Sequence, residues 1–350
     1  MNIVVLCGGL SNERDVSLCT GSLITKALIS KGHNAVLADV IEDIDLGGKS
    51  ALEYIASCRA REQKVYSVPK IAPDIETLKK QVLAKGRGMF GQNVLALCMA
   101  ADIVFMALHG DAGEDGRIQA ALDLMDVKYT GSGYLGSAVA MSKRLTKMVF
   151  AEKGILSRKY RMIAKEDYTD KTADGIDVPC VVKVNAGGSS IGVYVIHDRA
   201  ELKPCMDAAF KLDDTLVVED YIKGQEYTCG VLAGEGLPVV EITPKEGFYD
   251  YHAKYQPGAT REVCPAPSLN PAQTAKMQKI AVAAHKALGV GVYSRVDFMM
   301  DDKGDMYCLE ANTLPGMTPT SLLPQEAAAK GVAYEDLCEL IINESLKKYE

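Results

Sequence analysis

Two β-rich runs near the end of the chain, Val292–Met300 and Tyr307–Asn312, constrain its fold more than any other stretch. In the first, Arg295 and Asp297 stand two apart and share one strand face, while Val296, Phe298 and Met300 take the other. In the second, Glu310 and Asn312 share a face and Tyr307, Leu309 and Ala311 lie opposite. The link Asp301–Asp305 is short, polar and contains Gly304, which predicts a hairpin. Folding it back brings Asp297 to Glu310 and Asn312, with Arg295 alongside. Crowded carboxylates are costly unless a cation joins them, and hard oxygen donors suit Mg²⁺. A lone Glu-x-Asn would read better as an ordinary strand end; the second polar face tips the balance. Beyond it the chain breaks at Pro315-Gly316 and restarts at Ser321, a helix N-cap residue. A helix N-terminus there suits a phosphate or a carboxylate.

The 350 residues allow two or three domains. Strands at Asn2–Leu6, Ala35–Val40 and Ile103–Ala107 alternate with a helix over Val16–Ser30, the rhythm of an open parallel sheet. Residues 42–92 read as an insertion with weak helices at 51–60 and 74–84 and no usable motif. His109-Gly-Asp-Ala-Gly-Glu-Asp-Gly116 follows a strand, where ligands sit in α/β folds. A second, partly antiparallel unit has a helix over Ser137–Lys153 and strands at Arg158–Ile163, Cys180–Val184, Gly192–Ile196 and Leu216–Glu219. A third begins near Gly224, includes a helix from Asn270-Pro271 to Leu288, and closes with one over Tyr334–Lys347. The net charge of −7 argues against a nucleic-acid partner. The longest apolar run, Val94–Leu108, is broken by Asp102 and too short to span a bilayer. Ten scattered cysteines without a C-x-x-C, and no signal-peptide pattern, place the expected setting in the cytoplasm.

Lys183 precedes the glycine-rich loop Gly187-Gly188-Ser189-Ser190-Ile191-Gly192. Its backbone N–H groups can cradle phosphates, with Lys183 as counter-charge. The run Val193–Ile196 that follows is a strand, so a flap between antiparallel strands fits better than a P-loop. Taken alone, a ligand-free hairpin competes with that reading. Glu219–Ile222 could offer a backbone edge to a purine ring, and Glu226 a carboxylate to a ribose. Lys143 is a second candidate phosphate cation, although most such lysines are only solvated.

In order along the chain, these motifs resemble the D-alanine–D-alanine ligases of the ATP-grasp superfamily over nearly its whole length. The matching stretches are Gly8–Leu18, His109–Gly116 with Gln119, Tyr129–Gly133, Gly187–Gly192, Tyr249–Tyr255, Arg295-x-Asp297 and Glu310–Met317. The resemblance implies a three-domain ATP-grasp fold divided at 1–131, 132–222 and 223–350. It implies that ATP phosphorylates one D-alanine to an acyl phosphate, which the amine of a second D-alanine attacks. Glu13 would hold the first amine, linked through Ser189 to Tyr255, with His109 nearby. Lys143, Lys183, Glu219, Ile222 and Glu226 would bind ATP. Asp297, Glu310 and Asn312 would hold two Mg²⁺ ions, or Mn²⁺. Arg295 and the Gly316 backbone would stabilise the oxyanion, and Ser321 and Leu322 would fix the second carboxylate. Tyr249–Tyr255 would be a lid, and the protein a homodimer with neither nucleic acid nor membrane as partner. Val184 stands where the family usually has proline, and Pro319-Thr320 where many members place a histidine beside the serine. D-Serine as second substrate is the alternative; Tyr255 argues against D-lactate.

Overall fold

The computed structural model describes residues 1–60, 64–69, 73–86, 88–245 and 258–350. The first unit runs β1 (Asn2–Cys7), α1 (Arg14–Ser30), β2 (Asn34–Asp39), α2 (Ala51–Cys58), α3 (Ile75–Ala84), α4 (Val94–Ala100), β3 (Ile103–Met106) and α5 (Arg117–Asp123). Its strands are parallel in the order β2-β1-β3. Covered on both faces, β1 has no polar alternation, and Ile3–Cys7 is fully buried. The stretch expected to be an insertion contributes to this core. Helix α2 opens with a capping box between Ser50 and Glu53, and Ile55, Cys58 and Val82 pack with β1 and β3. Ile55→Ala should therefore cost about 2–5 kcal/mol, measurable by denaturant unfolding; a loss under about 0.5 kcal/mol, typical of surface sites, would make α2 an appendage.

The second unit comprises α6 (Tyr134–Met141), α7 (Lys143–Glu152), β4 (Tyr160–Ala164), β5 (Cys180–Val184), β6 (Val193–Ile196), α8 (Arg199–Ala209) and β7 (Thr215–Asp220). Its sheet is antiparallel, in the order β4-β7-β5-β6. The single helix expected over Ser137–Lys153 is two helices. Ser142 is extended, and its hydroxyl accepts the Leu145 N–H as the cap of α7. The Lys143 N–H is satisfied by Asn185 O at 3.0 Å, which ties the helix start to the glycine-rich loop. A serine cap with a tertiary partner outcompetes helix continuation.

The third unit runs β8 (Gly224–Leu232), β9 (Glu235–Gly236), β10 (Val240–Pro244), β11 (Thr260–Val263), α9 (Pro271–Ala287), β12 (Tyr293–Asp301), β13 (Met306–Asn312), α10 (Leu322–Ala329) and α11 (Tyr334–Leu346). Its antiparallel sheet is ordered β11-β10-β8-β12-β13. The Asn270 cap of α9 and Pro271 in its first turn are as the sequence predicts, and Gln273 completes a capping box with Asn270. Helix α11 leaves this unit: Leu337, Cys338, Ile341 and Ile342 are fully buried in the core around β1 and β3.

The β12–β13 hairpin forms with Arg295 opposite Asn312 and Asp297 opposite Glu310. One detail departs from strict alternation. A bulge after Asp297 pairs Phe298 with Cys308, leaving Leu309 as the extra residue. Cys308 is therefore fully buried in place of Leu309, which turns toward the neighbouring cleft. None of the ten cysteines forms a disulfide among the described residues. Among the described residues no helix is long and apolar enough to cross a membrane.

Candidate active site

A cavity of about 590 Å³ opens where the four-stranded sheet faces β8, β10, β12 and β13. That volume suits a nucleotide-sized ligand. Its polar wall includes Lys143, Lys183, Glu226, Asp297 and Glu310; Ile222, Ile242, Met299 and Leu309 supply apolar surface. Six of the seven candidate ATP and carboxylate-metal positions named from sequence thus line one space, Ile222 among them; Glu219 does not. Met299 belongs to the same strand face as Asp297 and could have been found by its two-residue spacing. Leu309 could not, because only the bulge brings it there.

The hairpin face is tightly organised. Arg295 donates to both oxygens of Asp297, from Nε at 2.8 Å and from its terminal nitrogen at 2.9 Å. Thr228 Oγ1 donates to Asp297 at 2.6 Å, and the Asn312 amide donates at 3.0 Å. Lys143 Nζ donates to Gly187 O at 2.9 Å and lies 3.9 Å from Glu310. It links the glycine-rich loop to the acidic strand. Asp297, Glu310 and Asn312 offer two carboxylates and an amide oxygen, a hard donor set that fits Mg²⁺. Among the described residues no cluster of three or more His, Cys, Asp or Glu side chains could hold a metal. An ion at this face would complete its shell with the phosphates it serves.

Lys183 does not stand alone. Its Nζ lies 3.0 Å from Glu219, which also meets Lys147 at 2.8 Å and Arg158 at 3.5 Å. Burial alone would push the Glu219 carboxyl up, but Lys183, Lys147 and Arg158 together hold it down to about 2. Glu219 lies behind the cavity wall, where it orients Lys183 and Arg158, both of which line the cavity. The sequence reading missed Lys147 and Arg158. Lys147 was within reach, four residues beyond Lys143 on the same helix face. The Val184 departure is accommodated: its N–H donates to Gly192 O at 3.1 Å, a bond proline could not make.

Glu13 sits at the start of α1 and accepts a short hydrogen bond from the Ser189 hydroxyl. Two glycines permit the approach. A Cβ on Gly188 would come within 2.9 Å of the Glu13 carboxylate, and one on Gly110 within 3.0 Å. His109 is buried beside them, its ring held between Leu314 O at 3.0 Å and the Thr20 hydroxyl at 3.3 Å. Burial lowers its pKa, so the ring is neutral near pH 7. Glu114, another residue missed from sequence, accepts the Gly110 N–H at 3.0 Å. Burial and the nearby Glu13 charge raise its carboxyl well above the ordinary range. Ser321 occupies the N-cap position of α10, but its hydroxyl does not cap the helix. Instead it accepts the Thr318 N–H at 3.1 Å and pairs with the Thr318 hydroxyl at 2.8 Å. A Cβ on Gly316 would lie 2.9 Å from that Ser321 oxygen, so these two positions lie side by side. Leu322 is buried at the first turn. Tyr255 and the lid expected over Tyr249–Tyr255 lie outside the described residues.

A cleft between two antiparallel sheets, a glycine-rich flap with its lysine, and an acidic strand facing it define an ATP-grasp fold of the ligase class. Family models described as the D-ala D-ala ligase N-terminus and C-terminus match residues 2–132 and 149–343. The chain belongs to the D-alanine–D-alanine ligase family. It is 42% identical over 353 residues to the D-alanine–D-alanine ligase of Pediococcus pentosaceus, covering 100% of this chain and 99% of that one. The corresponding protein of Lacticaseibacillus casei is 40% identical over 349 residues, covering 100% and 97%. Among solved structures, the ligase from Bacillus anthracis aligns with a TM-score of 0.73 at 32% identity, covering 99% of this chain and 98% of that one. A structure of that protein complexed with ATP aligns equally well, at 31% identity.

Proposed function

We propose that this chain joins two D-alanines at the expense of ATP, with the activated carboxylate passing through an acyl phosphate. The observation that carries this reading is the convergence on one cleft of Lys143, Lys183, the Asp297/Glu310/Asn312 face and, one loop away, the Glu13–Ser189 pair. Phosphoryl transfer is mainly positioning and charge neutralisation, and these residues supply both. The D-serine and D-lactate alternatives are not favoured, since the relatives named above are D-alanine–D-alanine ligases.

In this reading Lys143 and Lys183 neutralise the ATP phosphates, with Glu219 fixing Lys183 from behind. Ile222 and Glu226 flank the base and the ribose. Asp297, Glu310 and Asn312 would hold Mg²⁺, which would supply charge neutralisation at the phosphates. Glu13, oriented by Ser189, receives the ammonium group of the first D-alanine, and His109 supports that end as a neutral ring. The first carboxylate attacks the γ-phosphorus, and ADP leaves. The amine of the second D-alanine then attacks the acyl carbon. Arg295 and the Gly316 N–H meet the developing oxyanion, and phosphate departs as the peptide bond closes. Ser321 and the start of α10 at Leu322 hold the second carboxylate, where a helix N-terminus favours an anion. Tyr255 and its lid would shield the acyl phosphate from water.

The setting that goes with this chemistry is a cytoplasmic homodimer supplying dipeptide to peptidoglycan precursors, with domains at 1–131, 132–222 and 223–350. Incubation with ATP, Mg²⁺ and D-alanine should give ADP and dipeptide in equal amounts. Substituting D-serine or D-lactate as second substrate should give little mixed product. Absence of dipeptide under these conditions would overturn the assignment.

A further inference from the structure

Helix α10 carries, one turn beyond Leu322, a carboxyl that the chemistry above does not use. Glu326 is fully buried. Its Oε1 accepts the Gly230 N–H at 2.9 Å, while Oε2 has no hydrogen-bond partner among the described residues. Gly230 lies on β8 directly opposite Arg295 on β12, so the two residues address the same sheet face. The Gly230 carbonyl accepts from Leu237 N–H at 2.8 Å, on the side away from β12. In an antiparallel ladder the N–H of the same residue points to that side as well. Strand β10, which pairs with β8 from Glu226 to Thr228, no longer reaches it. Glu326 is the hydrogen-bond partner that this buried N–H has.

Glycine is what admits the carboxyl. A Cβ on Gly230 would come within 2.2 Å of Glu326 Oε2 and 2.6 Å of Leu323. The carboxyl fills the space that a side chain would take beside Arg295. Burial pushes its pKa well above the ordinary value. Hydrogen-bonded to Gly230, it serves as a peg between helix and sheet.

We propose that Glu326 is a positioning residue for the acceptor half of the site, pinning α10 to β8 beside Arg295. The pin fixes the span between the Arg295 end, where the oxyanion forms, and the Ser321–Leu322 end, where the second carboxylate rests. It builds on the assignment of Ser321 and Leu322 to that carboxylate. A merely structural peg would lower stability without singling out one substrate.

Initial rates at varied D-alanine and ATP separate the KM of the two D-alanine sites from that of ATP. An unsatisfied buried N–H is costly, and Glu326→Ala is expected to raise the acceptor KM roughly tenfold while the donor and ATP KM values stay within about twofold. Glu326→Gln keeps an acceptor oxygen and should restore the acceptor KM. Gly230→Ala, which expels Oε2, should reproduce the alanine variant. If Glu326→Ala does not fold, Glu326→Leu retains the volume and should show the same split. Ser321→Ala is the control for the underlying assignment: an unchanged acceptor KM in that variant would remove Ser321 from the acceptor site. With Ser321→Ala raised, a Glu326 variant that leaves the acceptor KM unchanged, or raises all three alike, would overturn the positioning role.

Discussion

Glu310→Gln is expected to lower D-alanine-dependent ADP release by roughly 10²–10³-fold and to leave thermal unfolding essentially unchanged. The two halves of this expectation have separate causes. Glu310 is partly exposed and its recorded ion pair is the long one to Lys143, so little folding energy is at stake. Its position opposite Asp297 across the hairpin, however, sets a second carboxylate beside Asp297 on the cavity wall proposed to hold Mg²⁺ and the phosphates. A glutamine keeps the size and loses the charge. Steady-state ADP release with D-alanine, together with a melting curve, checks both halves. Near-normal turnover would remove Glu310 from the phosphoryl-transfer site.

Glu219→Ala should act in the opposite way, on the fold first. One buried carboxylate balances Lys183, Lys147 and Arg158, and removing it leaves three cations with little water. Breaking a buried ion pair from one side typically costs about 3–5 kcal/mol. The same cluster sets an acid limit. Glu219 is held at about 2, against an ordinary value of 4.5. Its contribution is fully present above 4.5 and is lost as pH falls through about 2. Denaturant titrations of wild type and variant should differ most near neutrality and converge in acid. A variant as stable as wild type at pH 7 would show that the cluster does not support the fold.

The polar hairpin face was legible because strand periodicity is two and the turn is short, so Arg295, Asp297, Glu310 and Asn312 could be placed together without coordinates. The parallel sheet was legible from another rhythm, short apolar strands alternating with a helix. What escaped depends on local geometry with no periodic trace. The Leu309 bulge exchanges two side chains between faces. Ser142 splits one apparent helix because Asn185 waits beyond it. Ile55 and Val82 lie in a stretch without motifs, yet the core requires them. Glu219 was singled out as a candidate ATP ligand, yet it lies behind the cavity wall, and its partners come from three other segments that only packing brings to it. Nothing in the spacing around Glu326 marks it as buried; it packs against a glycine 96 residues away.

The central claim is that the D-alanine carboxylate itself becomes the acyl phosphate. D-Alanine labelled with ¹⁸O in its carboxyl oxygens tests it most directly, with the released inorganic phosphate analysed by mass. Attack of the carboxylate on the γ-phosphorus followed by amine attack on carbon transfers one labelled oxygen to each phosphate released during dipeptide synthesis. Phosphate that forms with dipeptide but carries no label would contradict the account.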